Sequence, residues 1–405
     1  MKHYKMGELC QIKHGFPFKG EYFSDAGNYI VLTPANFYEK GGFKRVPGKE
    51  KFYLSDFPQE YLCSKGDLII AMTQQAEGLL GSTAIVPEDG VYLHNQRIGL
   101  ISVNEDLVDK DFLYFLFMTD MIRKQIRNSA SGTKVKHTSP EKIADVDVYI
   151  PSKEVQKRNA AFLKLLEEKK TVNEETICAI ERIASKLYDY WFVQFEFPNE
   201  EGKPYRSSGG EMVWCDELKQ DIPKSWRTTS IGDITICLDS KRIPLSEKER
   251  EKIRGNIPYY GASGVMDYVN DYIFDGDYVL FAEDGSVMNK NGNPILQRIT
   301  GKNWVNNHTH VLKPVEGYSC MLLMMLFKNI PVVKIKTGSI QMKINQANLN
   351  RYRLIEIPKG LRESIIKFLD PLDRLILQKK AELLELQRQI DWLLPLLMNG
   401  QATII

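Results

Sequence analysis

The chain lacks most of what makes an enzyme easy to recognise. Its 405 residues contain no G-x-x-x-x-G-K-[ST] phosphate loop and no G-x-G-x-x-G opening a helix after a strand, which removes the common nucleotide-binding signatures. No Asp or Asn is followed by Pro-Pro and an aromatic residue, and no glycine-rich methyl-donor loop occurs, so a self-contained adenine methylase is not expected. Cys10, Cys63, Cys178, Cys215, Cys237 and Cys320 are scattered without a C-x-x-C pair. Neither a disulfide framework nor a zinc ribbon is indicated, and they read as reduced thiols of a cytoplasmic protein. An excess of one charge is also missing: 54 Lys and Arg against 52 Asp and Glu leave +2, which neither points to a polyanion nor excludes one. Long apolar runs are absent. The longest, Cys320 to Phe327, is far too short to cross a bilayer, and the Met1–Lys5 start has no apolar signal core. A soluble cytoplasmic protein without a membrane partner is expected.

Two long heptad stripes are present. Val155, Phe162, Leu166, Ile180, Ile183, Leu187 and Tyr190 keep the alternating four-and-three spacing that holds one helical stripe against a partner helix. Ile365, Leu369, Leu372, Ile376, Leu383, Leu386, Ile390, Leu393 and Leu397 repeat it, with a shared register at an offset of 210 residues. Lys169 and Lys379 both interrupt the stripe, which weakens a seam but narrows its allowed partners. Each stripe spans about 40 residues, or about 60 Å of helix. The alternative is a pair of ordinary surface helices.

The rest of the chain is doubled too. Ile231-Gly232-Asp233-Ile234 echoes Met6-Gly7-Glu8-Leu9, and the apolar strand after Asp275-Gly276-Asp277 echoes Leu68 to Met72 after Lys65-Gly66-Asp67. Ile357-Pro358 closes the second copy as Ile150-Pro151 closes the first. The pattern implies an α+β fold: a tandem duplication of one unit, a mixed α/β globular domain followed by a long rod-like helix. The expected boundaries are 1–151 for the first domain, 152–193 for the first helical region, 194–225 for a linker, 226–358 for the second domain, and 359–405 for the second helical region and tail. Predicted seam residues are Phe162, Leu166, Ile180, Ile183 and Leu187 against Leu372, Ile376, Leu383, Ile390, Leu393 and Leu397.

The two copies agree in scaffold and differ in their loops, as two readers of related build and different specificity would. Asn and Gln suit the adenine edge and Arg the guanine edge in the major groove. Gln74, Gln75 and Arg97 in the first copy, and Asn289, Asn291, Asn293 and Gln341 in the second, are candidate base readers. Lys134, Lys136, His137, Lys290, Lys334, Lys336 and Lys343 are candidate phosphate contacts, which set position without reading sequence. Against this, Asn291-Gly292 and its neighbours also suit a tight turn. Glu201-Gly202-Lys203 and Glu217-Leu218-Lys219 resemble nuclease tails but follow no acidic strand, and read as solvated loops. His308 with His310, and Cys10 with His14, lack a supporting second pair, so no metal and no catalytic residue is predicted.

Several strings carry a family resemblance: Phe192-Val193-Gln194-Phe195-Glu196-Phe197-Pro198-Asn199 through Tyr205, Ser207 to Met212, Ile222-Pro223-Lys224-Ser225-Trp226, and Leu393 to Ala402. With the alternation of variable domain and long helix, the whole chain resembles the specificity subunit of type I restriction-modification systems. The resemblance implies a non-catalytic subunit that reads a bipartite, asymmetric site on double-stranded DNA. It implies two target-recognition domains in pseudo-twofold tandem repeat, separated by two long helices that pair as an antiparallel coiled coil and dock two modification (methyltransferase) subunits, with restriction subunits in the same complex. Adenine-N6 methylation and cleavage then belong to the partners, with S-adenosylmethionine, ATP and magnesium bound there and no cofactor on this chain. The alternatives are a coiled-coil scaffold that ignores DNA and a DNA enzyme with a degenerate motif.

Overall fold

The structure, a computed structural model, describes residues 1–74, 78–132, 135–338 and 342–404. The chain divides into two compact units, Met1–Asn173 with Glu382–Ile405, and Glu174–Ala381. A 36-residue helix, Lys153–Tyr188, and a 40-residue helix, Lys359–Met398, each contribute to both units.

In the first unit a four-stranded antiparallel sheet runs in the order Cys10–His14, Ile98–Val103, Leu68–Ala71, Thr83–Ile85. The turn into its central strand uses Gly66 at φ +89°, a left-handed conformation that disfavours side chains. Leu68-Ile69-Ile70-Ala71 is apolar throughout because both faces are covered. Leu68 and Ile70 join the core around the helix Lys110–Met118, whose side chains from Phe112 to Phe117 are all buried. Ile69 and Ala71 join a second cluster with Leu32, Phe37 and Tyr92. The helix starts where the Asp109 carboxylate accepts the Phe112 N–H at 3.0 Å. Strands Lys2–Lys5 and Asp147–Ile150 pair antiparallel, and the chain then enters the first long helix.

The second unit repeats this frame. Its sheet runs Thr235–Cys237, Thr309–Pro314, Tyr278–Ala282, Leu296–Ile299, again antiparallel, and Arg227–Ser230 pairs with Arg353–Glu356. The helix Cys320–Phe327 is capped by Ser319, as Asp109 caps its counterpart. The two echoing tetrapeptides are one-turn helices. Glu8 accepts the Lys5 N–H at 2.6 Å and Asp233 accepts the Ser230 N–H at 3.0 Å, so an acid at the third helical position satisfies the start of the turn in both. The shared glycine also has a steric cause: a Cβ on Gly7 would stand 2.9 Å from Ala144 Cβ, and one on Gly232 3.1 Å from Asn350 Cβ. The first unit adds a helix, Asp120–Ser129, that the sequence pattern did not signal.

The string from Phe192 to Trp226, in the second unit, is ordered by stacked rings. Phe197 lies between Tyr205 at 4.7 Å and Trp226 at 4.8 Å, with Phe195 edge-on to Trp226. The connection 198–210 is exposed along most of its length, as its composition suggests, but it is anchored at this stack.

The long helices require one correction. On the second helix Ile365, Leu369, Ile376, Leu386, Ile390 and Leu397 are buried and Leu372, Leu383 and Leu393 half-buried. On the first helix Ile180 is buried and Phe162, Leu166 and Leu187 are half-buried, but Ile183 is 51% exposed. The buried stripe there is Ala160, Leu163, Ile177, Ile180, Ala184 and Tyr188, about one position round from the apolar reading. Small and amide residues cause the shift: Gln156, Asn159, Ala160 and Ala184 occupy buried positions that a count of large apolar side chains passes over. In the first unit the two helices run antiparallel, with Asn159 against Leu397 and Lys169 against Glu382. Lys169 stays exposed and pairs with Glu382 at 2.7 Å instead of entering the seam.

The corrected register has a direct test. Leu163→Ala removes a fully buried side chain and is expected to cost about 2–5 kcal/mol, whereas Ile183→Ala is expected to stay within about 0.5 kcal/mol of wild type. Urea unfolding of the two variants checks both values.

Candidate nucleic-acid interface

In the first unit four chain segments converge at one end of the sheet: His14 ends one strand, Ala71 ends the next, and Thr83 and Ile98 begin the other two. The opposite end leads through Val103 toward Leu107 and Asp109, which Gln156 of the first long helix holds by hydrogen bonds. The loop-rich end therefore faces away from that anchorage. The two-residue strands Thr73–Gln74 and Lys136–His137 pair beside it, with His137 Nδ1 3.1 Å from Thr73 Oγ1.

The candidate readers of this unit fall apart in an informative way. Gln74 is buried, and its side-chain oxygen accepts the Leu80 N–H at 2.7 Å, so it shapes the loop and cannot reach a base. This corrects its expected role: in a tight loop an amide satisfies the backbone more readily than a ligand. Arg97, Lys136 and His137 are exposed. Gln75 and Lys134 lie outside the described residues.

In the second unit the corresponding end carries the 283–293 loop and a hairpin between Lys336–Thr337 and Lys343–Ile344. Asn289 is committed to a turn: its side-chain oxygen accepts the N–H of Asn291 at 2.9 Å and of Asn293 at 3.2 Å. Gly292 takes φ +78° in that turn. The tight-turn reading thus accounts for Asn289, while Lys290 and Asn291 stand exposed at the tip and Asn293 is half-buried. Lys334 is exposed and Lys336 half-buried. Lys343 lies 3.1 Å from Glu283, so its charge is balanced within the unit and it is not a free phosphate contact. Gln341 lies outside the described residues.

Beneath this hairpin is a charged cluster that the sequence reading did not anticipate. Arg242 reaches Glu283 at 2.7 Å, the Thr309 carbonyl at 2.8 Å and Asp239 at 3.3 Å. His310, 1% exposed, has Nδ1 2.5 Å from Asp239 and Nε2 2.8 Å from the Ile344 carbonyl of the hairpin. His308 precedes the strand and points to Asp284, so the two histidines diverge instead of sharing a face. In the first unit the strand position of His310 is Gly99, whose space is filled by Ile12, Ile70 and Met72. Burial pushes the Asp239 carboxyl up, but His310, the Val311 N–H and Arg242 outweigh it and hold the group below the usual carboxylate range. Burial acts likewise on Glu283 and is outweighed by Arg242 and Lys343.

Cys237, Asp239 and His310 also bring three metal-ligand atoms within 4.8 Å of one another. Two ligands of one tetrahedral zinc ion stand about 3.3 Å apart, and the 2.5 Å between His310 and Asp239 is a hydrogen-bond distance. Burial pushes the Cys237 thiol up to about 12, and Arg242 adds a cation beside the same carboxylate. The residues suit an ion network that ties the hairpin to the sheet better than they suit a metal.

A duplicated α+β frame, carrying unlike polar loop sets at the free end of each sheet and joined to two long helices, defines a class of tandem-repeat proteins with two related domains. Residues 1–182 and 223–388 match the type I restriction modification DNA specificity domain, and the chain belongs to that family. It is 26% identical over 326 residues to the type I restriction enzyme MjaIX specificity subunit of Methanocaldococcus jannaschii, covering 75% of this chain and 71% of that one. It is 30% identical over 163 residues to a putative type I restriction enzyme specificity subunit of Haemophilus influenzae, covering 40% of this chain and 41% of that one. The matched part thus spans about two fifths of the length of the second relative. The crystal structure of a type I restriction-modification system S subunit from M. genitalium superposes with a TM-score of 0.61 at 16% identity, over 98% of this chain and 96% of that one, which shows a shared fold.

The charged cluster sets the acid sensitivity of the second unit. Carboxylates whose folded pKa is depressed contribute stability above their ordinary values near 4, and it is lost as pH falls through the lower folded values. Asp239→Asn is expected to cost about 3–5 kcal/mol at neutral pH, because it breaks a buried ion pair and takes one of two carboxylates from Arg242, and to flatten the pH dependence. Thermal unfolding between pH 7 and pH 3 measures both effects.

Proposed function

We propose that this chain is the DNA-reading subunit of a type I restriction-modification assembly, each unit reading one half of a two-part asymmetric site. The observation that carries the reading is the repeated sheet order with unlike loops at its free end, in a chain of this family. One frame presenting two loop sets suits two different sequences. Exposed Lys136 and Lys334 suit phosphate contacts, which orient a reader on the duplex. Chemistry is assigned to partners: adenine-N6 methylation to two modification subunits, cleavage to restriction subunits, with S-adenosylmethionine, ATP and magnesium held there and none on this chain. The complex works in the cytoplasm. None of the helices is long and apolar enough to cross a membrane, among the described residues.

The modification subunits dock on the long helices. Large apolar side chains stand exposed there, among them Leu165 at 60%, Leu384 at 53% and Trp392 at 67% in the first unit. Exposed Trp and Leu on an otherwise seated helix pair suit a partner surface.

Two outcomes test the reading. Co-expressed with its modification subunits, the chain is expected to direct methylation to one bipartite motif, read by sequencing modified bases. The isolated chain with S-adenosylmethionine is expected to methylate nothing, and methylation by it alone would overturn the division of labour. Trp392→Glu is expected to weaken assembly with the modification subunit by roughly thirtyfold or more while leaving the urea midpoint unchanged, as followed by sedimentation.

A further inference from the structure

The two units share a detail in the turn at the free end of the sheet. In the first, the Asn95 side-chain oxygen accepts the Arg97 N–H at 3.3 Å; in the second, the Asn306 side-chain oxygen accepts the His308 N–H at 2.9 Å. The carbonyl at the end of each turn is held the same way: Arg97 accepts from the Met72 N–H at 3.0 Å, and His308 from the Glu283 N–H at 2.9 Å. The next residues, Ile98 and Thr309, enter the sheet opposite Ala71 and Ala282. The two turns are therefore equivalent in their backbone and in their place on the frame.

Their contents differ. Each turn projects two consecutive exposed residues, Gln96-Arg97 in one unit and Asn307-His308 in the other. The side chains of Gln96, Arg97 and Asn307 make no hydrogen bond or ion pair among the described residues. His308 is held through Nδ1 by Asp284, from the neighbouring loop, and its Nε2 has no hydrogen bond among the described residues. All four are types whose donors and acceptors fit base edges: amides pair with adenine, and guanidinium or imidazole nitrogens reach guanine. An exposed side chain on a rigid turn loses little freedom on binding, which suits a reader better than a tip whose backbone must first order.

We propose that this paired turn is a specificity-determining element of both units. Gln96 and Arg97 read base edges of one half-site and Asn307 and His308 those of the other, while Asn95 and Asn306 act as positioning residues. The proposal rests on the function proposed above and adds which side chains carry the discrimination.

The experiment uses the full chain assembled with its modification subunits and maps methylated sites on a duplex library randomised around the wild-type motif. Arg97→Ala is expected to raise methylation of sites with a wrong base at one position of one half-site by about ten- to hundredfold relative to wild type. The other half-site is expected to remain intact. Asn307→Ala is expected to do the same in the opposite half-site. Asn95→Ala is expected to relax the same position as Arg97→Ala, and Asn95→Asp, which keeps the acceptor oxygen, to restore it; a merely structural role would lower all methylation evenly. Unchanged half-sites in both alanine variants would overturn the proposal. So would a uniform loss across all sequences, which marks a phosphate contact. A wild-type assembly that methylates no two-part motif would instead refute the underlying function, so the two failures are distinguishable.

Discussion

The first unit depends on a return of the chain. Its core contains Leu163 of the first long helix and Leu397 and Met398 of the second, with Leu393, Leu394 and Ile404 packed against it. The fully buried Asn159 fixes the join: its amide donates to the Leu397 carbonyl at 2.9 Å and its oxygen accepts the Ile404 N–H at 3.2 Å. An amide placed there must find partners, because a buried unpaired one costs about 1–3 kcal/mol; the last turn of the second long helix supplies one and the segment after it the other. Residues more than 200 positions apart in sequence thus complete one core, so the unit closes only after the second long helix has arrived. Such contacts are slow to form, since the loop must be closed before the contact rewards it.

What the sequence makes legible is what repetition makes legible. The echo of Met6-Gly7-Glu8-Leu9 in Ile231-Gly232-Asp233-Ile234 reflects a capping acid and a close helix approach, both local, and the unbroken run Leu68–Ala71 reflects a strand covered on two faces. The stripe on the second long helix was readable because its buried positions are Ile and Leu. The first helix misled at Ile183 because alanines and buried amides hold part of its seam, and spacing of large apolar residues is blind to both. In the loops, residue type alone ranked Gln74 as a reader, whereas the nearby Leu80 N–H claims it. Gln96 and Asn307, which residue type alone does not single out, stand at equivalent places on the two frames.

The two units also solve the interior of the same sheet differently. Around Gly99 the first uses hydrocarbon from Ile12, Ile70 and Met72. Around His310 the second uses polar and charged groups with named partners: Asp239 pairs with Arg242 and is hydrogen-bonded to His310, and Glu283 pairs with Arg242 and Lys343. A hydrophobic filling is indifferent to the loops above it. An ion network is not, since two of its contacts, Lys343 and the Ile344 carbonyl, belong to the hairpin at the free end of the sheet.

That difference bears on how new targets arise by inheritance. In a lineage exchanging recognition surfaces, the hairpin of the second unit is not a portable cassette. A donor segment without a cation at the place of Lys343, or with its carbonyl turned from His310, leaves the polar interior unpaired, so it must travel with Asp239, Arg242 and Glu283, a set that together with Lys343 spans more than 100 positions of the chain. Recombination that moves the whole unit keeps the set together, and exchange of short tracts breaks it.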